Sequence, residues 1–375
     1  MDIEKYTREV LYDIKQRGEE ALKEYSSRFD NYVGPIRVPA EEIEESDSLM
    51  NPDQISAIDT VIERVRNVHS AQINHSTLFT QNGSMYGIVE RPLKRIGLYV
   101  PGGKPLPSSL IMSAVPARIA GVREIVVVTA PNGGKIEPAL LYIAKKLDIS
   151  EIYRIGGIQA IGAMAYGIGM KPVQKIFGPG NAFVTEAKRQ VFGTVGIDGL
   201  NGPSEICIIA DEAADPKYVM ADLASQLEHG PDSKAWLLTT SSELARVCEA
   251  EGVDIRIYST LEECISSANE LAPEHLELLV MDPMRLIDMV ENAGAVYMGP
   301  YSPVPAGDYF LGVNHILPTG GSAVFSSALT VWDFTKRISV AYTGRDEFMK
   351  FRKSGMELAS IEGMAAHRKS MEARN

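Results

Sequence analysis

Gln226 and His229 stand three positions apart in SQLEHGPD (225–232), at the end of what reads as an amphipathic helix. On a helix that spacing puts an amide oxygen and an imidazole on one face. Such a pair can begin a metal site but not complete it, because zinc usually takes four ligands. Further donors follow: His275, His315 and His367, with the carboxylates Glu274, Asp308 and Glu362. Asp308 comes after Gly307 in a stretch rich in glycine and proline, where a lone carboxylate also serves as a turn former. Glu362 and His367 are separated by roughly 140° on an ideal helix. Both reach one site only if the backbone around Gly363 deviates.

Acid–base chemistry has a candidate in Glu274-His275, directly after Pro273 at a helix-to-strand junction. Neighbours on a strand face opposite ways, so both serve one ligand only across an irregular turn. An imidazole titrates near neutrality and suits proton abstraction from an alcohol, while a carboxylate can activate water. Two glycine-rich turns offer backbone N–H groups to phosphate: YVPGG (99–103) after a strand, and GPGN (178–181) before a helix. The second sits at a helix N-terminus, a natural anion site. Neither is a GxGxxG fingerprint, and each alone also reads as a tight turn that needs glycine. The cysteines Cys207, Cys248 and Cys264 are too scattered for a disulfide framework or a zinc cluster. His69 and His75 read as ordinary surface or satisfied residues.

The elements that must position these groups follow from length and patterning. A chain of 375 residues exceeds one hydrophobic core, so two lobes or more are expected. Composition, 45% hydrophobic and 23% charged, excludes disorder on the scale of a domain. The net charge of −12 argues against a nucleic-acid binder. The N-terminus lacks an apolar signal-peptide core, and no apolar run approaches the ~20 residues of a membrane span. A cytoplasmic, soluble protein is expected. The periodicity predicts helices over 3–26 and 52–70. From 84 onward, apolar strands (96–100, 125–129, 151–155, 205–210, 235–239, 254–258, 276–280, 295–298) alternate with helices, the last of them over 283–292. That pitch means βαβ units in two series, split near 203. Residues 299–327 read as a long irregular loop. An amphipathic helix is expected from about 331, then a charged helical tail too polar to make its own core.

Several segments occur together in order: GLYVPGG (97–103), PSSLIM (107–112), GPGNAFVTEAKR (178–189), GPSE (202–205), SQLEHGPDS (225–233), APEHLEL (272–278), GDYFLGVNHILPTGG (307–321), TVWDFTKRISV (330–340) and EGMAAH (362–367). In this order and spacing they closely resemble histidinol dehydrogenase, from about residue 84 to the C-terminus. The resemblance implies an α/β fold of two Rossmann-like, aldehyde-dehydrogenase-like domains with a helical N-terminal segment and a helical C-terminal tail. The expected division is 1–98 with 204–329 as one domain, 99–203 as the second, and 330–375 as a dimerisation tail.

The resemblance further implies a zinc- and NAD-dependent four-electron oxidation of L-histidinol, via L-histidinaldehyde, to L-histidine. Tyr99, Gln159 and Asn181 would contact NAD. Gln226, His229, Asp308 and His367 would hold one zinc ion per subunit. Glu274 and His275 would form the catalytic pair, His275 taking the hydroxyl proton and Glu274 activating water. Ser204, Gln226, His229, His275, Asp308, Glu362 and His367 would contact substrate. The family is homodimeric, and its C-terminal segment crosses over, so Glu362 and His367 would act in the partner's site. The chain is short for the family before Tyr99 and between His229 and Glu274, and LNGPSE (200–205) stands where PAGPSE is usual. Alternatives are a related zinc- and NAD-dependent dehydrogenase of another small polar alcohol, a thiol-dependent aldehyde dehydrogenase, and a non-catalytic binding protein on the same scaffold.

Overall fold

The computed structural model describes residues 2–73, 76–102, 106–200 and 202–374. His75, Gly103 and Asn201, named above, lie outside the described residues. The chain forms two compact units, one from Met1–Ile73 with Leu93–Phe334 and one from Asn74–Pro92 with Thr335–Asn375.

The first unit opens on α1 (Ile3–Arg17) and α2 (Glu19–Asp30), broken at Gly18 where one helix was expected. Helices α3 (Ala40–Glu44) and α4 (Pro52–Ser70) follow, the latter started by a reciprocal capping box between Asn51 and Gln54. His69 is buried and satisfied by Gln72. Strands β1 (Thr77–Gln81) and β2 (Ser84–Pro92) belong to the second unit.

Next come β3 (Arg95–Tyr99), α5 (Pro107–Ala120), β4 (Glu124–Thr129), α6 (Pro138–Lys146), β5 (Glu151–Arg154), α7 (Gly157–Tyr166), β6 (Lys175–Phe177), α8 (Ala182–Val191) and β7 (Gly196–Ile197). The strands form one parallel sheet in the order β5-β4-β3-β6-β7. Ile96, Leu98, Ile125 and Val127 point into a core shared with α4, α5 and α6. Tyr99, Val126 and Val128 point into the opposite core, shared with α1, α2, α7 and α8. Burial on both faces explains why these strands read as unbroken apolar runs. The N-terminal helices therefore pack on the first sheet, as does strand β3, although the sequence reading had grouped 1–98 with 204–329.

A second series follows: β8 (Glu205–Ala210), α9 (Pro216–Leu227), β9 (Lys234–Thr239), α10 (Ser242–Val247), β10 (Val253–Ile257), α11 (Leu261–Leu271), β11 (His275–Leu279) and β12 (Ala295–Met298). Its strands are parallel in the order β10-β9-β8-β11-β12. The two-series α/β fold read from the sequence is the fold observed. Where a helix over 283–292 was expected, the chain makes two single turns, Pro283–Arg285 and Ile287–Met289, neither of which buries a side chain. The loop after β12 contains a short helix, α12 (Val304–Tyr309), which carries Asp308.

In the second unit, β1 and β2 form a hairpin whose two-residue turn, Asn82-Gly83, has both φ angles positive. That is the backbone a tight hairpin requires. The helix expected from about 331 is instead a short turn, Val331–Phe334, in the first unit, then β13 (Thr335–Tyr342), which pairs antiparallel with β2. Ile338 and Val340 are β-branched and favour the strand. Helices α13 (Arg345–Ile361) and α14 (Ala365–Glu372) complete the unit and pack on each other. Among the described residues, no helix is long and apolar enough to cross a membrane.

Candidate active site

A cavity of about 440 Å³ gathers most of the chemistry-bearing residues. The first sheet supplies Pro101, after the C-terminal end of β3, and Pro179, Gly180 and Asn181, after β6. The second supplies groups from the N-terminal ends of its strands: Ser204, just before β8, and Glu274 and His275, at the start of β11. His229, Asp308 and His315 complete the wall.

The Glu274–His275 pair works because the chain bends just before it. Ala272 sits in the left-handed region (φ 47) and Pro273 follows, so Glu274, ahead of the strand, escapes strand alternation with His275. Glu274 Oε2 lies 3.7 Å from His275 Nε2 and accepts from Glu205 N–H at 2.9 Å. Burial raises the Glu274 carboxyl to about 8, against the hydrogen bonds from Glu205 N–H and Ser204. Burial, with the neighbouring His315 and His229, pulls His275 down to about 3. The result is a neutral imidazole beside a carboxyl group raised toward neutral pH, two groups that can exchange protons with one ligand.

Gln226 is 1% exposed, on the inner face of α9, and its amide nitrogen has no hydrogen-bond partner. The helix ends at Leu227, so His229 lies beyond it, in a turn closed by His229 N–H to the Gln226 carbonyl at 3.2 Å. His229 Nδ1 faces that same carbonyl at 3.3 Å. Donation there leaves Nε2 free as a ligand. Burial raises the Asp308 carboxyl, opposed by His315 and His229. Among the described residues, no group of three His, Cys, Asp or Glu side chains forms a metal cluster. Glu362 and His367 belong to the second unit and are exposed, and Gly363 between them adopts φ +70, the backbone deviation their spacing demanded.

The residues expected at the cofactor divide in two. Tyr99 and Gln159 are buried under the turn after β5. Tyr99 Oη accepts from Gly157 N–H at 3.2 Å. Gln159 Nε2 and Gly156 N–H both donate to Asp30 Oδ2 at 3.1 Å, while Gln159 Oε1 is left without a partner. Asn181 instead lines the cavity, its side-chain oxygen capping α8 through the N–H groups of Phe183 and Val184. The GPGN turn before it is clamped. Gly178 has φ +112, and a Cβ there would stand 2.1 Å from the Tyr99 carbonyl oxygen. Its N–H donates to Asp198 (2.7 Å), its carbonyl accepts from Lys188 (2.9 Å), and these two buried side chains pair at 2.5 Å. A second cavity, of about 850 Å³, spreads over the C-terminal ends of β3, β4 and β5, and Pro101 lines both.

Sequence reasoning offered His315 as a donor but gave it no role. Its Nδ1 donates to the Asp308 carbonyl at 3.1 Å, and its Nε2 lies 3.3 Å from Ser109 Oγ. The Lys188–Asp198 clamp was missed, as was Glu277, a carboxylate in the middle of a fully buried strand. That last signal was legible, since an acidic residue inside an apolar run needs a partner. All three cysteines are buried, burial raises each thiol, and none lines the cavity. A thiol nucleophile has no place here.

The histidinol dehydrogenase family model matches residues 1–255 and 250–375. A histidinol dehydrogenase of Thermococcus kodakarensis is 60% identical over 372 residues, covering 99% of each chain. One from Heliobacterium mobile is 43% identical, over 98% of this chain and 92% of the other. The crystal structure of histidinol dehydrogenase from Elizabethkingia anophelis superposes with a TM-score of 0.95 at 34% identity, covering 100% of this chain and 92% of that one. This chain belongs to the histidinol dehydrogenase family of oxidoreductases.

Proposed function

We propose that the chain oxidises L-histidinol through L-histidinaldehyde to L-histidine, with zinc and NAD, as the last step of histidine biosynthesis in the cytoplasm. One observation carries the reading: a neutral buried imidazole and a near-neutral carboxyl, His275 and Glu274, share the cavity with Gln226's neighbour His229 and with Asp308. The donor set fits a cation. Gln226 is 1% exposed on α9, and burial holds Asp308 above its usual range against the pull of His315 and His229, so a cation beside them would offset that cost. His367 would complete the four ligands. The cofactor would lie over the larger cavity at the C-terminal strand ends, where α/β sheets bind dinucleotides, with Tyr99 and Gln159 under the turn after β5 and Asn181 reaching it from the smaller cavity, which shares Pro101.

When bound, zinc orients the amino alcohol and NAD accepts hydride. His275 takes the hydroxyl proton in the first oxidation. Glu274, once ionised, draws a proton from water so that the aldehyde becomes hydrated, and His275 serves again as base in the second oxidation. Ser204 steadies Glu274 and, with Gln226, His229, His275, Asp308, Glu362 and His367, contacts substrate. The second unit supports a homodimer in which Glu362 and His367 serve the partner's site. Its helix α13 exposes Phe351, Leu358 and Ile361 to solvent, as the turn after it exposes Met364, an apolar surface that a second copy would cover.

The test is a coupled assay of purified protein with zinc, NAD and L-histidinol. The expected result is histidine with two NADH formed per histidinol consumed. A folded, zinc-loaded protein that leaves histidinol untouched but oxidises another small polar alcohol would overturn the substrate assignment.

A further inference from the structure

Beneath the candidate metal residues lies an acidic side chain that the reaction does not use. Glu277 is on β11, two positions after His275 and on the same face, and is 0% exposed. Its Oε1 accepts from Val304 N–H, the first of α12, at 2.6 Å. Its Oε2 is buried with no N–H or O–H partner and meets the buried carboxyl of Asp222, on α9. Two carboxylates in contact away from water cannot both ionise. A proton on Oε2, donated to Asp222, removes the apparent orphan. Burial raises both groups, and Glu277, at 0% exposure against 9% for Asp222, is the deeper of the two and holds the proton.

The placement of the pair gives it a consequence. Asp222 is one helical turn before Gln226 on α9, and Val304 is one turn before Asp308 on α12. Tyr297, the register partner of Glu277 on β12, seats α12 from below. A Cβ on Gly307 would stand 2.3 Å from the Tyr297 ring, so the helix rests directly on that ring. Glu277 thus ties together the three elements that carry Gln226, His275 and Asp308.

We propose that Glu277, bridging Asp222 and the Val304 N–H, is a positioning residue that sets the separation of Gln226 and Asp308 for the metal. The inference rests on the zinc reading above. It is tested on the full-length protein, stripped of metal, by zinc titration against a chromophoric chelator, by the absorption spectrum with cobalt, and by thermal melting before metal is added. Glu277→Leu is expected to melt near wild type yet bind zinc ~10–100-fold more weakly, as loss of an outer partner does, and to alter the cobalt spectrum. Glu277→Gln keeps both bonds, its oxygen facing Val304 and its amide donating to Asp222, and is expected to restore affinity. Glu277→Asp keeps the carboxyl but shortens its reach, and serves if the leucine variant does not fold; a ~10-fold loss is expected. Wild-type affinity and spectrum in a folded Leu or Asp variant would overturn the proposal. A wild-type protein that takes up no zinc would instead sink the metal reading itself.

Discussion

Glu274 and His275 are consecutive residues, yet Glu274 Oε2 and His275 Nε2 stand 3.7 Å apart and face one cavity. Their proximity makes the division of labour separable by kinetics. His275→Asn is expected to suppress both oxidations, by ~10²–10⁴-fold for loss of a general base. Glu274→Gln should slow aldehyde oxidation far more than alcohol oxidation. Single-turnover measurements begun from the alcohol and from the aldehyde read the two steps apart. A Gln variant impaired only in the alcohol step would reverse the assignment.

Asp308 is the one carboxylate among the candidate ligands, and its charge is the hardest to replace. Asp308→Asn should weaken zinc by more than the ~10–100-fold typical of an outer partner. Activity of the wild type should fall to background on prolonged chelation and return with added zinc. Retention of full activity in metal-depleted protein, checked by elemental analysis, would contradict this.

A site completed by a neighbour's tail predicts complementation. His275→Asn and His367→Ala proteins, each inactive, form on mixing a dimer in which one of two sites is intact. Random exchange then restores about a quarter of wild-type activity, by the two-fold symmetry of the dimer. Mixtures that stay inactive after demonstrated subunit exchange would show that each site is complete within one chain.

Burial pushes the folded Asp222 carboxyl up to about 6, above the ordinary range of an aspartate. A raised carboxyl favours the folded state fully below its unfolded pKa, and that contribution is lost as pH rises through the folded value. Asp222→Asn cannot ionise. Its melting temperature relative to wild type should therefore climb between pH 4 and pH 7, measured without metal. A difference independent of pH, or one of opposite slope, would exclude a buried, proton-sharing Asp222.

Breaking the Lys188–Asp198 pair leaves a buried charge with no partner. Lys188→Met is expected to cost ~3–5 kcal/mol of stability, seen as a drop in denaturation midpoint. Replacing both residues with apolar ones should cost less, because no charge is then stranded. Equal losses would mean that the clamp on Gly178, and not the charge, carries the effect.

Much of this architecture was legible in the sequence because burial on both faces of a parallel strand writes an unmistakable run, as in IVVVT at 125–129. The site was legible in part. Glu274, His275, His229 and Asp308 were named before their meeting point was visible, and they meet. Other readings failed for identifiable reasons. Residues 335–342 look half-amphipathic, but their pairing with β2 comes from a partner far away in the chain, which no local pattern reports. The Asn82-Gly83 turn that makes β1 and β2 a hairpin was a signal in plain sight. Lys188 and Asp198 each look like surface charges, and only the fold turns them inward. The fourth candidate ligand, His367, lies on the second unit, on a helix far along the chain from the other three.

The second unit is assembled from a segment that interrupts the first, Asn74–Pro92, and one that follows it, Thr335–Asn375. Arg337 meets Glu90, 247 positions away in sequence, and β13 is the strand that closes against β2. During synthesis, β1 and β2 must therefore wait as an isolated hairpin, which is marginal in water, until nearly the whole chain has left the ribosome. Contacts this distant form late. A nascent chain that stalls before residue 335 keeps an open strand edge and lacks α13 and α14 altogether. Such a fragment exposes itself to proteases.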